Sequence, residues 1–274
     1  MNYQHAYHAG NFADVVKHIT LSLILQYFAQ KEKPFCYIDT HAGEGSYEFA
    51  REEMQKTTEA VRGILTLLEK PSLALIEPYL NVVRAFQEAY QAYPGSPLIA
   101  DAFLRSDDSM ILNELHPNAS VLLKYQFRRD KNIAIHQRDA YECLPAILPP
   151  KEKRAVILID PPFEKNHEIA DIQSVLARSL ERFSPGCYVV WFALTNRYPS
   201  LINDRKMLKK LSDKYLAFDM VIESSPYAEK GLIGCGMAII NPPYVLEAQL
   251  EKVLPYLWSI FSPDKEGYWR IKKS

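Results

Sequence analysis

The sequence lacks most of the features that would class it at a glance. Its 274 residues hold four cysteines, Cys36, Cys143, Cys187 and Cys235, widely separated and with no C-x-x-C pair. That spacing supports neither a disulfide framework nor a zinc site, and it favours reduced thiols in a cytosol. No apolar run approaches the length of a membrane span; "YVVWFAL" at 188–194 is among the longest. The opening "MNYQHAYHAG" has no basic region ahead of an apolar stretch, so it does not read as a signal peptide. Internal repeats and low-complexity tracts are missing too. Charge of one sign is absent: 32 basic residues against 33 acidic ones give a formal net charge of -1. That balance argues against a broad, sequence-blind nucleic-acid binder, which would be basic. Local basic clusters remain at Lys124, Arg128, Arg129 and Lys131, and at Arg205, Lys206, Lys209, Lys210 and Lys214. Solvated helix faces are the commonest explanation of such clusters. What is left is a soluble, cytoplasmic, globular chain, long enough for one large α/β domain with an insertion.

Its patterning is more informative. "ADVVKHITLSLILQYFAQ" (13–30) reads as an amphipathic helix with Val15, Val16, Ile19, Leu23 and Tyr27 near one face, stopped by Pro34. "PFCYIDTHAGEG" then reads as a buried strand running into a glycine turn. Residues 46–92 are mostly helical in pattern, and "YPGSP" breaks the chain with Ser96 as N-cap and Pro97 at the first helical position. Strand-like runs recur in "SMILNEL", "NIAIHQRD", "AVILID", "CYVVWFAL" and "GMAIINPP", most of them separated by helical segments. Such alternation predicts a mostly parallel sheet covered on both faces, with ligands beyond the carboxyl ends of the strands. The last run begins in glycine-rich sequence and reads as an antiparallel hairpin partner at the sheet edge.

Acidic groups stand at those strand ends. In "DTHAGEGSY" (39–47), Gly43 and Gly45 let the backbone approach a ligand closely, but Glu48 occupies the place of a third dinucleotide-binding glycine. No Lys-Ser or Lys-Thr follows, which rules out a P-loop. Glu114 can accept hydrogen bonds from both hydroxyls of a ribose, or it can be a cap or surface acid. Asp139 can accept from an adenine amino group, or it can cap the next helix. A glycine turn, a ribose acid and a base acid, each after its own strand, is the order that holds an adenosyl ligand.

Asp160 in "LIDPPF" supplies the chemistry. An exocyclic adenine amine is a poor nucleophile because its lone pair is delocalised into the ring. Acceptors on its N–H bonds favour the pyramidal nitrogen that attacks an electrophile. The Asp160 carboxylate is one such acceptor, and the Pro161 carbonyl, aimed by the rigid Pro-Pro turn, is another. Phe163 offers a face on which an extruded base can stack. "AIINPPY" (238–244) has the same shape, with Asn241 for the acid and Tyr244 for the ring. Lacking a cofactor-type acid upstream, it reads as prolines ending a strand. His5, His8, His18 and His41 do not fall at the spacing of a zinc signature, so no metal is expected. Lys17 reads as a helix-surface lysine, with pairing to a cofactor carboxylate as the lesser alternative.

"YHAGNFADVVKH", "DTHAGEGSY", "YPGSPLIA", "ELHP" and "LIDPPF" together resemble the bacterial 23S ribosomal RNA adenine-N6 methyltransferases of the J type, across residues 3–244. The resemblance implies a class I, Rossmann-like methyltransferase domain over 1–274, with a mostly parallel sheet, an antiparallel edge strand and a small all-helical insertion at 48–94. It implies S-adenosyl-L-methionine as cofactor, contacted by His18, His41, Ser96, Glu114, Asp139, Ala140 and Asp160. It also implies Asp160 as proton acceptor and Tyr3 as a residue handling the RNA. The commoner ring at position 163 is tyrosine, so phenylalanine there leaves stacking intact and removes any role of a phenol hydroxyl. The expected partner is 23S rRNA, naked or early in assembly, bound by a monomer. The rivals are a DNA adenine-N6 methyltransferase, a non-catalytic rRNA assembly factor and, weakened by the missing glycine, a nicotinamide-dependent oxidoreductase.

Overall fold

The computed structural model describes residues 8–50, 59–163, 167–195, 212–223, 232–262, 264–265 and 267–273. Its centre is a strand whose four residues, β1 (Cys36–Asp39), are all buried. β1 pairs in parallel with β4 (Ser109–Asn113) on one side and with β6 (Ala155–Ile159) on the other, so Cys36 lies level with both Ser109 and Ala155. β5 (Ile133–His136) extends the sheet beyond β4, and β7 (Cys187–Thr195) extends it beyond β6, again in parallel. β9 (Leu232–Ile240) and β8 (Tyr215–Val221) follow antiparallel, and β10 (Tyr268–Lys273) closes the row. The order is β5-β4-β1-β6-β7-β9-β8-β10. The expected class I α/β sheet is present, with its ligand edge at the crevice where the chain leaves β1 in both directions.

Alternation along the strands feeds two cores. Cys36, Ile38, Ile157 and Ile159 face one side, where they meet Leu144 of α6 (Ala140–Ile147) and Ile172, Val175 and Leu176 of α7 (Glu168–Arg182). Those α7 positions repeat at helical spacing, so one stripe is buried and the other is wet. Tyr37, Val156 and Leu158 face the opposite side, against α1 (Phe12–Ala29) and α8 (Leu246–Phe261).

Three expectations need correction. The strand ending at Ile240 is not at the edge: β8 and β10 lie beyond it, and β10 follows it in the chain. The stretch 46–92 is not helical at its ends, because β2 (Ser46–Glu48) and β3 (Ala92–Pro94) form an antiparallel ribbon. Between them lie a π-helical turn (Val61–Leu65), α2 (Thr66–Leu68) and α3 (Glu77–Tyr90), whose Tyr79, Leu80 and Val83 join the α1 core. Lastly, Gly95 rather than Ser96 caps α4 (Ser96–Asp101).

That helical stretch changes what α1 is. The sheet, α8, the π-helical turn, α3 and α4 all pack against the helix, so every residue from Phe12 to Leu25 is buried, Asp14, Lys17 and His18 included. Buried polar groups need partners. Thr20 and Ser22 donate to carbonyls one turn back, those of Val16 and His18. The ionic ones turn towards the ligand edge of the sheet.

Candidate functional site

A cavity of about 330 Å³ opens at the carboxyl ends of β1, β4, β5 and β6. His18, His41, Ser96, Glu114, Asp139, Ala140 and Asp160 all line it, so the sheet gathers in one place residues up to 142 positions apart.

Gly43 and Gly45 take left-handed backbone, with φ of +64° and +86°, as the turn after β1 requires. A Cβ on Gly43 would stand 2.2 Å from the Tyr47 hydroxyl, so no side chain fits there. The Gly43 amide donates to Glu114 Oε2 at 2.8 Å, and the His116 amide donates to Oε1 at 2.7 Å. Two fixed donors hold that carboxylate in one orientation and leave each oxygen a second lone pair. Asp139 is indeed a helix cap, its Oδ1 accepting from the Tyr141 amide at 2.8 Å; its other oxygen is not used by the cap. Asn113 ties the edge together. Its Nδ2 donates to the carbonyls of Thr40 and Arg138, and its Oδ1 accepts from the Arg138 amide.

The reading of Lys17 as a surface lysine is overturned. Its Nζ is buried between Asp14 Oδ1 at 2.7 Å and Asp160 Oδ2 at 2.5 Å, with the Trp191 ring 5.9 Å away. Burial alone would drive the ammonium's pKa down, but the two carboxylates outweigh it and hold the value well above the ordinary one. Asp14 in turn accepts from the Gly10 amide at 3.0 Å. The helix therefore presents a cation to the acid at the end of β6. A sequence signal existed: Asp14 and Lys17 share a helix face at i, i+3 spacing. The same spacing occurs on solvated helix faces, so by itself it does not indicate burial.

His18 hydrogen-bonds through Nδ1 to the Tyr93 hydroxyl at 2.7 Å, and Tyr93 meets the Tyr79 hydroxyl at 3.0 Å. Ser96 gives its hydroxyl proton to Asp39 Oδ2, which also accepts from Tyr37; Asp39 Oδ1 takes the His41 amide. Asp39 is fully buried, and burial pushes its pKa up to about 6 despite those donors. Asp39 reads from sequence only as an acid at a strand end, and Tyr37, Tyr93 and Asn113 are not singled out, because buried strand and turn positions give no pattern that separates a support from a core residue. The Thr40 hydroxyl lies 2.8 Å from His41 Nδ1 and 3.1 Å from the Leu158 carbonyl, a pair of contacts that ties the His41 ring to the end of β1. Burial, aided by Lys17 and opposed by Asp160 and Asp139, pushes His41 down to about 4, so the ring is neutral at neutral pH.

Asp39 and His41 pull stability in opposite directions. Raised from 3.8 to about 6, Asp39 gives the folded chain the extra proton in that window, and its contribution falls as pH rises. Lowered from 6.5 to about 4, His41 gives the unfolded chain the extra proton, and its contribution rises with pH. Each displacement is worth about 3 kcal/mol. In His41→Gln the Asp39 slope loses its counterweight. Urea denaturation should show the variant falling by about 3 kcal/mol relative to the parent between about pH 4 and pH 6.5. Parallel profiles would mean that burial does not hold His41 neutral.

Phe163 does not line the cavity, although Pro162 does. Its backbone is left-handed, φ +53°, and its half-buried ring packs 6.0 Å from Trp191 and 5.8 Å from Phe192. Asn241 lies at the opposite edge, since β9 runs antiparallel to β7; it donates to the carbonyls of Ser184 and Gly186 and closes a turn. Tyr3 and His5 fall outside the described residues. Among the described residues, no group of three or more His, Cys, Asp or Glu could hold a metal ion. No described helix is long and apolar enough to cross a membrane.

The RsmJ family model, described as "Ribosomal RNA large subunit methyltransferase D, RlmJ", matches residues 32–273. A relative from Escherichia coli (strain K12), named ribosomal RNA large subunit methyltransferase J, is 39% identical over 275 residues, 98% of this chain and 96% of its own. A relative of the same name from Haemophilus influenzae is 35% identical over 280 residues, covering 99% and 98%. The crystal structure of protein LPL1258 from Legionella pneumophila superposes with a TM-score of 0.88 at 33% identity, over 97% of this chain and 98% of that one. On sequence over nearly its whole length, and on a fold shared at that level, the chain belongs to the RsmJ family of ribosomal RNA large subunit methyltransferases.

Proposed function

We propose that this chain methylates the N6 amine of one adenine in 23S rRNA, using S-adenosyl-L-methionine. It would act as a cytoplasmic monomer on naked or early-assembly RNA, as one domain whose insertion at 48–94 carries its helices between two short paired strands. The observation that carries the reading is the placement of Asp160 in the same cavity as Glu114 and Asp139, beside a buried ammonium. Family membership and the relatives' names support the RNA class; the D-P-P-F run supports the amine.

The cavity fits the cofactor in its donor set. Glu114, clamped by two amides, would take the ribose hydroxyls, and Asp139 with the Ala140 backbone would take the adenine edge. Gly43 and Glu44 of the turn lie at the cavity wall, where Gly43 brings the Glu114 carboxylate to its amide. His18, neutral His41 and Ser96 would flank the remainder. Once bound, the cofactor supplies an electrophilic methyl group on a sulfonium. The chain's own work is to place the adenine amine. The ion pair to Lys17 occupies Asp160 Oδ2, which leaves Oδ1 to accept an N–H from the amine and then its departing proton. The Pro161 carbonyl would accept the second N–H. Phe163, backed by Trp191 and Phe192, would offer its outer face to the base.

The test is radiolabel transfer to unmodified, transcribed 23S rRNA, followed by nucleoside mass spectrometry. N6-methyladenosine at one site is expected. Label in duplex DNA but not in RNA would transfer the reading to DNA. A calorimetric titration with no cofactor heat would favour an assembly factor instead.

A further inference from the structure

The outer face of one helix is left unexplained by the site. α5 (Pro117–Gln126) starts at the cavity, which Leu115, His116, Asn118 and Ala119 line. It buries Ser120 and Leu123 against the sheet and turns Val121, Leu122 and Tyr125 outwards. Those three are 64%, 41% and 65% exposed, and Leu115 beside them is 46% exposed. Half of the eight exposed large hydrophobic residues in the described chain thus fall within eleven positions. Clustered exposure of this kind marks an interaction surface more often than scattered residues do. The basic cluster seen in the sequence lies at its far end: residues 115–131 carry Lys124, Arg128, Arg129 and Lys131 against a single acid, Asp130, in a chain of net charge -1. Arg128 lies over the Tyr125 ring at 3.9 Å and is held there by a 2.7 Å hydrogen bond to the Tyr125 carbonyl.

We propose that this face, from Leu115 to Arg128, is the docking surface for the RNA segment beside the target adenine; the inference rests on the rRNA reading above. Unstacked bases in loops and bulges bind on aromatic rings and guanidinium planes, and phosphates bind nearby cations. α5 offers both, and the ring and guanidinium are already stacked. The helix is about 15 Å long and leads to the cavity mouth. A second copy of this chain fits less well, because a two-fold contact through this face would set the basic cluster against itself.

The test uses two double variants of surface residues, Val121→Ser with Tyr125→Ser, and Arg128→Gln with Arg129→Gln. With transcribed 23S rRNA, each should raise KM about tenfold or more, leaving kcat, cofactor affinity and thermal midpoint unchanged. The charge variant should also flatten the dependence of log KM on log salt by about 1–2, as lost phosphate contacts require. Unchanged KM and salt slope would overturn the proposal. So would a variant whose defect is a changed sedimentation coefficient, which would make the face a contact between copies. If the parent does not methylate RNA, the function reading fails by itself. The surface is then judged by fluorescence anisotropy of a labelled 23S fragment: tenfold weaker binding by the variants upholds it, equal binding overturns it.

Discussion

Asp160→Ala should lower the rate of methyl transfer to 23S rRNA by about 10²–10³-fold while cofactor binding remains measurable by calorimetry. The size of the loss follows from the role proposed for the carboxylate towards the amine. Removing one preorganised hydrogen-bonding group from a site where charge develops typically costs about 3–4 kcal/mol of transition-state stabilisation. On the proposed mechanism the lost group would both polarise the nucleophile and accept its proton, which places the expected loss at the upper end of that range. The fold should tolerate the change, since Lys17 keeps Asp14 at 2.7 Å and the carboxylate removed lies at the cavity wall. Single-turnover labelling at saturating cofactor separates this outcome from a binding defect. Transfer at near the parental rate would show that another group takes the proton.

The part of the site visible in the sequence was the part written on parallel strands. β1, β4, β5 and β6 each announce themselves as short apolar runs ending in a polar residue, and their common direction follows from the helices between them. That was enough to place Glu114, Asp139 and Asp160 along one edge. β8 was missed because Asp219 sits in its middle, which breaks an apolar run; the structure pairs it with Arg270, its cross-strand neighbour on β10. β10 was missed for a related reason. Its arginine and lysines suit a sheet edge that must refuse further strands, and charge there reads as loop. The antiparallel strand between β7 and β8 depends on the β8–β9 pairing, which needs β8 to be recognised first.

The error over α1 was of a different kind. A helix with Asp14, Lys17 and His18 among valines and leucines looks half solvated when taken alone. The π-helical turn and α3, inserted between β2 and β3, and α4 after them pack against it, and they lie 32 or more positions further along the chain. Periodicity is a local quantity, and burial here is decided by a distant segment. The ionic groups of α1 gave no hint of their partner because Asp160 is 143 residues away.

From that geometry, Lys17→Met should be the most destabilising single change among the residues of the site. It leaves Asp14 and Asp160 facing each other across the space of the lost ammonium, with side chains 5% and 14% exposed. Removing the cation from this set should cost about 3–5 kcal/mol, because two desolvated carboxylates then face each other without it. Methionine fills most of the lysine's volume, so the loss reports charge rather than a cavity. The sign of its pH dependence follows. Two carboxylates sharing a buried site favour the uptake of a proton in the folded state, so the deficit should shrink as pH falls from about 7 towards about 5. Urea midpoints for parent and variant across that range measure it. Asp14→Asn in the same background should recover part of the deficit at neutral pH by removing one of the two charges. A deficit independent of pH and unrelieved by Asp14→Asn would mean that packing, and not the three-charge arrangement, fixes α1 against the sheet.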